Sequence, residues 1–279
     1  MNRSSTTETN KHYDQDPALF ASFLDPTLKY SSALYLTGDE DLATAQQNKL
    51  EFIADAMHAH EGGRYLDVGC GWGSLMLYLA ASRGAKVVGI TPSARQAEFV
   101  LSRAEAGGLS SLVEVRVTTI ESATLESSSF DGASFVGSIV HMEDRVGALQ
   151  TVADALCRDG RVYISESCYR SQSHYDRFSN SAGASFVREE VFGNGDMVPP
   201  SVLLKATEDA GFTLESSTDL TPHYLKTIEA WIENIDASRE SMDALSPGAA
   251  DLLRRYLVIG QTGFVVATRQ IAFVLARGR

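Results

Sequence analysis

Short apolar runs alternate with segments of helical periodicity through the middle of this chain. The apolar runs are rich in Val, Ile, Leu and Phe, which is typical of buried parallel strands. Between most of them lie segments with apolar residues three or four positions apart, as on one face of a helix. The predicted strands are 64–68, 86–90, 113–117, 130–136 and 161–165, and the predicted helices are 73–83, 94–106 and 145–157. This alternation predicts an α/β fold with a doubly wound, mostly parallel sheet.

The regions on either side of this alternation have different patterns. Residues 1–12 are polar and predicted to be disordered, whereas residues 13–62 are predicted to form an N-terminal helical cap. Residues 168–210 are rich in Ser, Tyr, His and Asn, which predicts a helical lid insertion on the substrate side. Helical spacing resumes at 201–210, 224–237 and 249–261, and a last strand at 269–276 is predicted to complete the sheet edge. We therefore expect residues 13–279 to form a single domain.

A glycine-rich turn follows the first predicted strand. The segment Tyr65-Leu-Asp-Val-Gly-Cys-Gly-Trp-Gly73 has three glycines at alternate positions, where the chain passes from strand to helix. Glycine tolerates positive φ and lets a ligand approach the backbone closely. The spacing differs from the Gly-x-Gly-x-x-Gly of dinucleotide binders, and the next strand leads into Thr91 rather than into an acid for the ribose. The turn therefore predicts S-adenosylmethionine (SAM) as the cofactor and argues against NAD.

Composition and charge limit the partners and the location that can be expected for the protein. The 279 residues are 44% hydrophobic and 22% charged, as in an ordinary globular protein. The formal net charge of −12 argues against a nucleic-acid partner, because such proteins neutralise phosphates with Lys and Arg. The polar start lacks a signal-peptide core, and no apolar window is long enough to span a membrane, so a cytoplasmic location is expected. Cys70, Cys157 and Cys168 have no metal-ligand spacing, so no metal is expected.

Several segments besides the turn are similar to one known family. They are Phe23-Leu-Asp-Pro-Thr27, Tyr30-Ser-Ser-Ala-Leu-Tyr35, Val88-Gly-Ile-Thr-Pro-Ser-Ala-Arg-Gln96 and Pro222-His-Tyr-Leu-Lys-Thr227. With the turn, they resemble the cyclopropane fatty acid synthase and mycolic acid methyltransferase family, whose members are class I SAM-dependent methyltransferases. The resemblance runs from about residue 12 to the C-terminus. It implies SAM binding and an α/β fold with a Rossmann-like, seven-stranded, mostly parallel sheet.

The resemblance also implies which residues contact SAM. From the methionine carboxylate through the ribose to the adenine, they are Tyr30, Ser31, Gly69, Gly71, Thr91, Pro92, Gln96, Ile120 and Glu121. Gln96 replaces the acid that is usual in the family. Asp67 is a further candidate for the cofactor site, with hydrogen bonding to the amides of the turn as an equal alternative. For Glu121 the alternative is a solvated loop position.

Three positions depart from the pattern of the family. In cyclopropane synthases a Cys, a Glu and a His help to hold a bicarbonate ion that serves as the general base. The aligned residues here are Ser32, Val140 and Ser165. Because the carboxylate and the imidazole are both replaced, we do not expect cyclopropane synthesis from this chain.

A methyl acceptor loses a proton during or after the transfer, so the site needs a base. The candidate groups are His141, Glu143, Glu166, His174 and His223. We favour His141 and Tyr224 as catalytic residues, because Tyr224 matches an active-site tyrosine of the family and His141 follows a strand end. Packing is the alternative for His141, and an ordinary helix-start tyrosine is the alternative for Tyr224. A dry aromatic pocket favours methyl transfer, and the candidates to line it are Trp72, Tyr175, Phe186 and Tyr224.

The leading hypothesis is a SAM-dependent methyltransferase that acts on a small-molecule or lipid-like metabolite of specialised metabolism. Methylation of carbon is favoured, and methylation of nitrogen or oxygen is a close second. The alternatives are a SAM-fold cyclase without net methylation and a SAM-binding subunit that supports a partner. A nucleic-acid methyltransferase is the least favoured alternative. The sequence leaves open whether the protein forms a homo-oligomer.

Overall fold

The computed structural model describes residues 15–192 and 195–278. The predicted disorder of residues 1–12 lies outside the described residues. The elements in chain order are α1 (Pro17–Ala21), α2 (Leu42–Ala56), β1 (Arg64–Val68), α3 (Ser74–Arg83), β2 (Lys86–Thr91), α4 (Ala94–Ala106), β3 (Val113–Val117), β4 (Phe130–Val136), a 3₁₀ turn (Ile139–His141), α5 (Arg145–Ala155), β5 (Leu156–Tyr169), α6 (Gln172–Phe178), α7 (Ala182–Phe186), a π-helical turn (Val187–Val191), α8 (Pro200–Asp209), β6 (Phe212–Asp219), α9 (Thr221–Leu245), α10 (Ala249–Val266) and β7 (Thr268–Arg277).

Seven strands form one sheet in the order β3-β2-β1-β4-β5-β7-β6. Strands β1 to β5 pair in parallel, and β7 is antiparallel to both β5 and β6. The predicted Rossmann-like, mostly parallel sheet is thereby confirmed. The carboxyl ends of β2, β1 and β4 lie side by side at one edge, which is where parallel sheets bind ligands.

Successive side chains of a strand point to opposite faces of the sheet. Helices cover both faces, so the apolar side chains on each face are buried. On β1, Tyr65 packs into a cluster with residues of α2, α3 and α4, whereas Leu66 packs with residues of α5 and α8. Both side chains are almost completely buried. The central strands are therefore held firmly from two sides, and the turn after β1 starts from a rigid position.

A third apolar cluster joins the first helix to the last two. Phe20 and Phe23 from the N-terminal region pack with Trp231 on α9 and with residues of α10. Trp72 of the glycine turn belongs to the same cluster, with its ring centroid 5.3 Å from that of Phe20. Helices from the N-terminal and C-terminal regions thus pack together next to the glycine turn. In the described part of the chain, neither these helices nor any other is long and apolar enough to cross a membrane.

Three sequence-based assignments are corrected by the structure. The helix predicted at 145–157 ends at Ala155, because β5 begins at Leu156. Strand β6 was not predicted, since most of its side chains are exposed and it is held by backbone pairing with β7. The last strand, β7, consequently lies between β5 and β6 and does not form the sheet edge.

The segment predicted as a lid insertion, residues 168–210, contains two kinds of structure. Its ends belong to the sheet layers, since β5 continues to Tyr169 and α8 packs Leu203 and Ala206 into the core. Between them, α6, α7 and the π-helical turn have a single buried residue, Val191, among their described positions. These short elements cover the larger of the two cavities described next.

Candidate functional site

The glycine turn has a left-handed backbone at all three glycines. The φ angles are +79° at Gly69, +55° at Gly71 and +79° at Gly73. A Cβ on Gly69 would lie 2.5 Å from the Cβ of Ser138, and one on Gly73 would lie 2.7 Å from Val100, so packing excludes side chains there. At Gly71 an added Cβ would meet no atom within 4 Å. Gly71 therefore faces open space and leaves the backbone accessible to a ligand.

This open space is a cavity of about 480 Å³, which we call the turn cavity. Eight of the predicted cofactor residues line it: Tyr30, Gly69, Gly71, Thr91, Pro92, Gln96, Ile120 and Glu121. They come from the N-terminal cap, the β1 turn, the end of β2 with the start of α4, and the loop after β3. The carboxyl ends of the strands thus bring together residues that are far apart in the sequence.

Gln96 is held in place by local capping at the start of α4. Ser93 is the N-cap, and its hydroxyl accepts a hydrogen bond from the backbone N–H of Gln96 at 3.2 Å. The hydroxyl of Thr91 donates to the Gln96 side-chain oxygen at 2.7 Å. Both side chains are buried, so the amide group of Gln96 has a fixed direction at the cavity wall. This geometry suits the recognition of a hydroxylated ligand group.

The other two predicted cofactor residues, Asp67 and Ser31, do not line the turn cavity. Asp67 is buried, and its Oδ1 accepts a hydrogen bond from Ser134 at 2.8 Å. Its Oδ2 has no hydrogen-bond partner among the described residues. Burial raises the pKa of Asp67, and the nearby ammonium groups of Lys29 and Lys49 oppose that rise. The structure thus places Asp67 in a buried charge cluster with Lys29 and Lys49, and Lys29 itself lines the turn cavity.

Ser31 connects that charge cluster to the second cavity. Lys49 donates to the Ser31 hydroxyl at 3.1 Å, and Ser31 lines the other cavity. Both Lys29 and Lys49 have pKa values lowered by burial. Neither lysine was singled out by the sequence. In the structure, Lys49 lies on the buried face of α2, next to Leu50 and Ile53.

The second cavity, of about 800 Å³, is called the outer cavity. Its walls are largely apolar and aromatic and come from α6, α7, the π-helical turn, α9 and α10, with the ends of β5 and β7. Tyr30, Gly137 and His141 line both cavities. A ligand in the turn cavity and a second molecule in the outer cavity would therefore meet at these three residues, which we call the junction.

Three tyrosines lie around the outer cavity near the junction: Tyr30, Tyr224 and Tyr256. Burial raises the pKa of Tyr256 to about 12, and hydrogen bonds with Tyr224 and Tyr30 act in the opposite direction. The ring of Tyr224 packs 4.8 Å from Phe264 and 6.0 Å from Trp231, between ring centroids. Tyr256 was missed because only the packing of α10 beside α9 brings it to the site.

The base candidates occupy different places. His141 is at the junction, Glu143 lines the turn cavity, and Glu166 lines the outer cavity. His174 and His223 line neither cavity: the Nδ1 of His174 lies 2.8 Å from the Ser171 hydroxyl, and the Nδ1 of His223 accepts from the Tyr35 N–H.

The aromatic candidates also separate. Trp72 lines the turn cavity, and Tyr175 and Tyr224 line the outer cavity. Phe186 lines neither, and its ring packs under the Arg255 guanidinium, 4.1 Å from the ring centroid. The dry pocket predicted from the sequence is therefore split between the two cavities.

The positions that align with the bicarbonate ligands of cyclopropane synthases offer only hydroxyls and an aliphatic side chain. Ser165 accepts a hydrogen bond from the amide of Gln270 at 2.9 Å, and Ser32 donates to a backbone carbonyl. Val140 lines the outer cavity without a polar side-chain atom. Gln270, which was not predicted, also accepts from the Ser167 hydroxyl at 2.7 Å.

Comparison with known proteins identifies the family of this chain. The family model described as mycolic acid cyclopropane synthetase matches residues 1–273. A probable fatty acid methyltransferase of Pseudomonas putida is 29% identical over 248 residues, which cover 88% of this chain and 62% of that relative. The SAM-dependent methyltransferase UmaA of Mycobacterium tuberculosis is 26% identical over 258 residues, which cover 90% of this chain and 88% of UmaA.

Solved structures show the same fold. The cyclopropane synthase MmaA2 of Mycobacterium tuberculosis superposes with a TM-score of 0.91 at 24% identity, covering 97% of this chain and 98% of MmaA2. The mycolic acid cyclopropane synthase CmaA1, complexed with SAH and CTAB, has a TM-score of 0.91 at 23% identity and covers 99% of both chains. The chain therefore belongs to the mycolic acid cyclopropane synthetase family, and it is a class I methyltransferase with S-adenosylmethionine as its cofactor.

Proposed function

We propose that this enzyme methylates an alkene carbon in a lipid-like acceptor of specialised metabolism. The observation that carries this proposal is the outer cavity, which is large, mainly apolar and joined to the cofactor side at Tyr30, Gly137 and His141. Such a cavity suits a chain-like apolar molecule whose reacting carbon lies at the junction. The names of two relatives, a probable fatty acid methyltransferase and a sphingolipid C9-methyltransferase, support a lipid acceptor.

The turn cavity fits SAM. Gly71 leaves the backbone open, Thr91 and Gln96 provide fixed polar groups, and buried Ile120 provides an apolar wall. In the proposed arrangement, Tyr30 and the turn hold the methionine part, Gln96 binds the ribose, and Ile120 and Glu121 contact the adenine. Ser31 and Asp67 act indirectly, since neither lines this cavity. When bound, SAM supplies an activated methyl group.

Tyr224 and His141 are proposed to border the reacting carbon. Tyr224 is supported from behind by Trp231 and Phe264, so its ring has a fixed position on the wall of the outer cavity. An aromatic face next to a carbon that develops positive charge lowers the energy of that charge. His141 lies at the junction, with its ring centroid 5.7 Å from that of Phe192. It closes one side of the path between donor and acceptor.

The function is tested with methyl-labelled SAM and matched lipids. Oleate and stearate have the same chain length and differ in one double bond, so they separate alkene methylation from transfer to the carboxylate. We expect label in oleate, a mass gain of one CH₂ and formation of S-adenosylhomocysteine, with none of these for stearate. Label in both acids would indicate ester formation. Binding of SAM in calorimetry without transfer to oleate or to other unsaturated lipids would contradict the proposal.

Replacing Gln96 with alanine is expected to weaken SAM binding about tenfold. The substitution removes one polar contact to the cofactor, worth about 1.4 kcal/mol, which is a factor of about ten in affinity. The buried Thr91 hydroxyl loses its acceptor in the free and the bound enzyme alike, so this second loss lowers stability and leaves affinity unchanged. Gln96→Glu restores a buried acceptor and should retain wild-type affinity. Gln172→Ala, on exposed helix α6 and outside both cavities, is the matched control. Isothermal titration calorimetry measures the three dissociation constants, and equal values for Gln96→Ala and wild type would contradict the assignment.

A further inference from the structure

A buried carboxylate faces the outer cavity. Glu166, near the carboxyl end of β5, is 4% exposed and lines this cavity. Its Oε1 accepts a hydrogen bond from the Ser167 N–H at 2.9 Å, and its Oε2 accepts from the Val140 N–H at 3.3 Å. The salt bridges formed among the described residues do not include Glu166. Two amides orient the group, and none of these salt bridges neutralises its charge.

The position of Glu166 is close to the junction. Val140, whose amide it binds, lies in the 3₁₀ turn between Ser138 and Met142, directly before His141. His141 is a junction residue, so the carboxylate reaches the wall of the outer cavity from strand β5 at the level of this turn. Glu166 thus lies on the acceptor side of the site. Glu143, by contrast, lines the turn cavity.

The surroundings of Glu166 prepare it for proton transfer. Burial raises its pKa to about 7, although the two amides and the Arg145 guanidinium act in the opposite direction. Two other ionisable groups interact with it electrostatically, Cys168 on β5 and Tyr256 on α10, and His141 of the 3₁₀ turn lines the same cavity. Burial raises the pKa of Cys168 and Tyr256, so both stay neutral near pH 7. A carboxylate with such neighbours can both accept and release a proton at neutral pH.

We propose that Glu166 is the general base that removes the proton which the acceptor loses, a role that rests on the proposed function. As the methyl–sulfur bond breaks with its electron pair left on sulfur, the alkene π pair bonds to the methyl carbon. A carbocation then remains at the neighbouring carbon. Glu166 takes a proton from the next carbon, and the C–H pair forms a new double bond. The acceptor gains one CH₂, and Glu166 afterwards releases the proton to solvent.

Kinetics on the unsaturated acceptor test this role. Wild-type kcat/KM should rise with pH, with its midpoint at about pH 7, and then reach a plateau, because Glu166 must be ionised. Glu166→Gln should lower the plateau at least about 100-fold and abolish the rise of kcat/KM with pH, which is the acidic limb of the profile. Glu166→Asp should recover part of the rate and keep this limb. His141→Gln should keep the limb. The proposal is overturned if Glu166→Gln keeps the wild-type plateau, or if the limb disappears in His141→Gln and not in Glu166→Gln.

A binding experiment tests Glu166 even if oleate is not methylated. Dodecyltrimethylammonium combines a positive charge with an apolar chain, as the carbocation does, whereas dodecanol has the chain alone. We expect Glu166→Gln to weaken binding of the cation about tenfold at pH 8 and to leave dodecanol binding unchanged. Equal affinities of wild type and variant for the cation would overturn the proposal. Failure of the methyl transfer alone, with this difference present, would contradict the proposed acceptor and retain the charged role of Glu166.

Discussion

Replacing Gly137 with leucine is expected to reduce kcat/KM for methyl transfer at least about 100-fold. Gly137 lines both cavities, has φ +73°, and an added Cβ would meet no atom within 4 Å. The new side chain would therefore occupy the junction itself. Even a 1 Å displacement of reacting groups costs about 100-fold in rate, and a leucine at the junction displaces them further.

The strain of a leucine at positive φ must be separated from this block. Left-handed backbone costs a non-glycine residue about 1–2 kcal/mol. Gly211 has φ +85° and equally open space, but it lies in the turn before β6 and lines neither cavity. Gly211→Leu is thus the matched control and should retain its activity at the same cost in stability. Comparable activities of the two variants would show that the junction is not the path of the methyl group.

Replacing Trp231 with alanine is expected to lower the free energy of unfolding by about 3–5 kcal/mol. Trp231 is 0% exposed, and its ring centroid lies 5.2 Å from Tyr30, 6.0 Å from Tyr224 and 6.3 Å from Phe23. Its removal leaves a large cavity in the cluster that joins α1, α9 and α10. Because Tyr30 and Tyr224 lose a packing partner, methyl transfer should fall as well. Urea unfolding followed by circular dichroism measures the stability change.

Trp231→Phe is the control for this prediction. The indole N–H has no hydrogen-bond partner among the described residues, so a phenyl ring loses volume without breaking a hydrogen bond. The cost should be less than half that of alanine, and Tyr30 and Tyr224 should keep an aromatic neighbour. Equal losses for the two variants would indicate that the ring volume does not support the site.

The sheet and the glycine turn were predictable because their signals are local. Strand β2, for example, is buried on both faces and so appears as an apolar run at residues 87–90. A left-handed turn selects glycine at Gly69, Gly71 and Gly73. Strand β6 gave no such signal, because an exposed edge strand is held by its backbone, which leaves no apolar pattern. That missing strand is also why β7 was placed at the edge.

The substrate side was less predictable, because its residues act through packing between distant segments. Tyr256 and Gln270 reach the outer cavity only after α9, α10 and β7 fold back against β5. Glu166 was one of five candidate bases with no spacing to separate it from His174 or His223. The structure separates them, since it places Glu166 on a cavity wall and the two histidines outside both cavities.

The sequence by itself determined the fold class and the cofactor, since periodicity, glycine positions and family motifs are properties of neighbouring residues. Only the tertiary structure decided which polar groups share a cavity and where the two cavities meet. It also decided that Asp67 and Ser31 do not line the turn cavity. The physical reason is that burial, cavity shape and the pKa of a carboxyl group depend on atoms from several elements. A pattern along one segment does not contain that information.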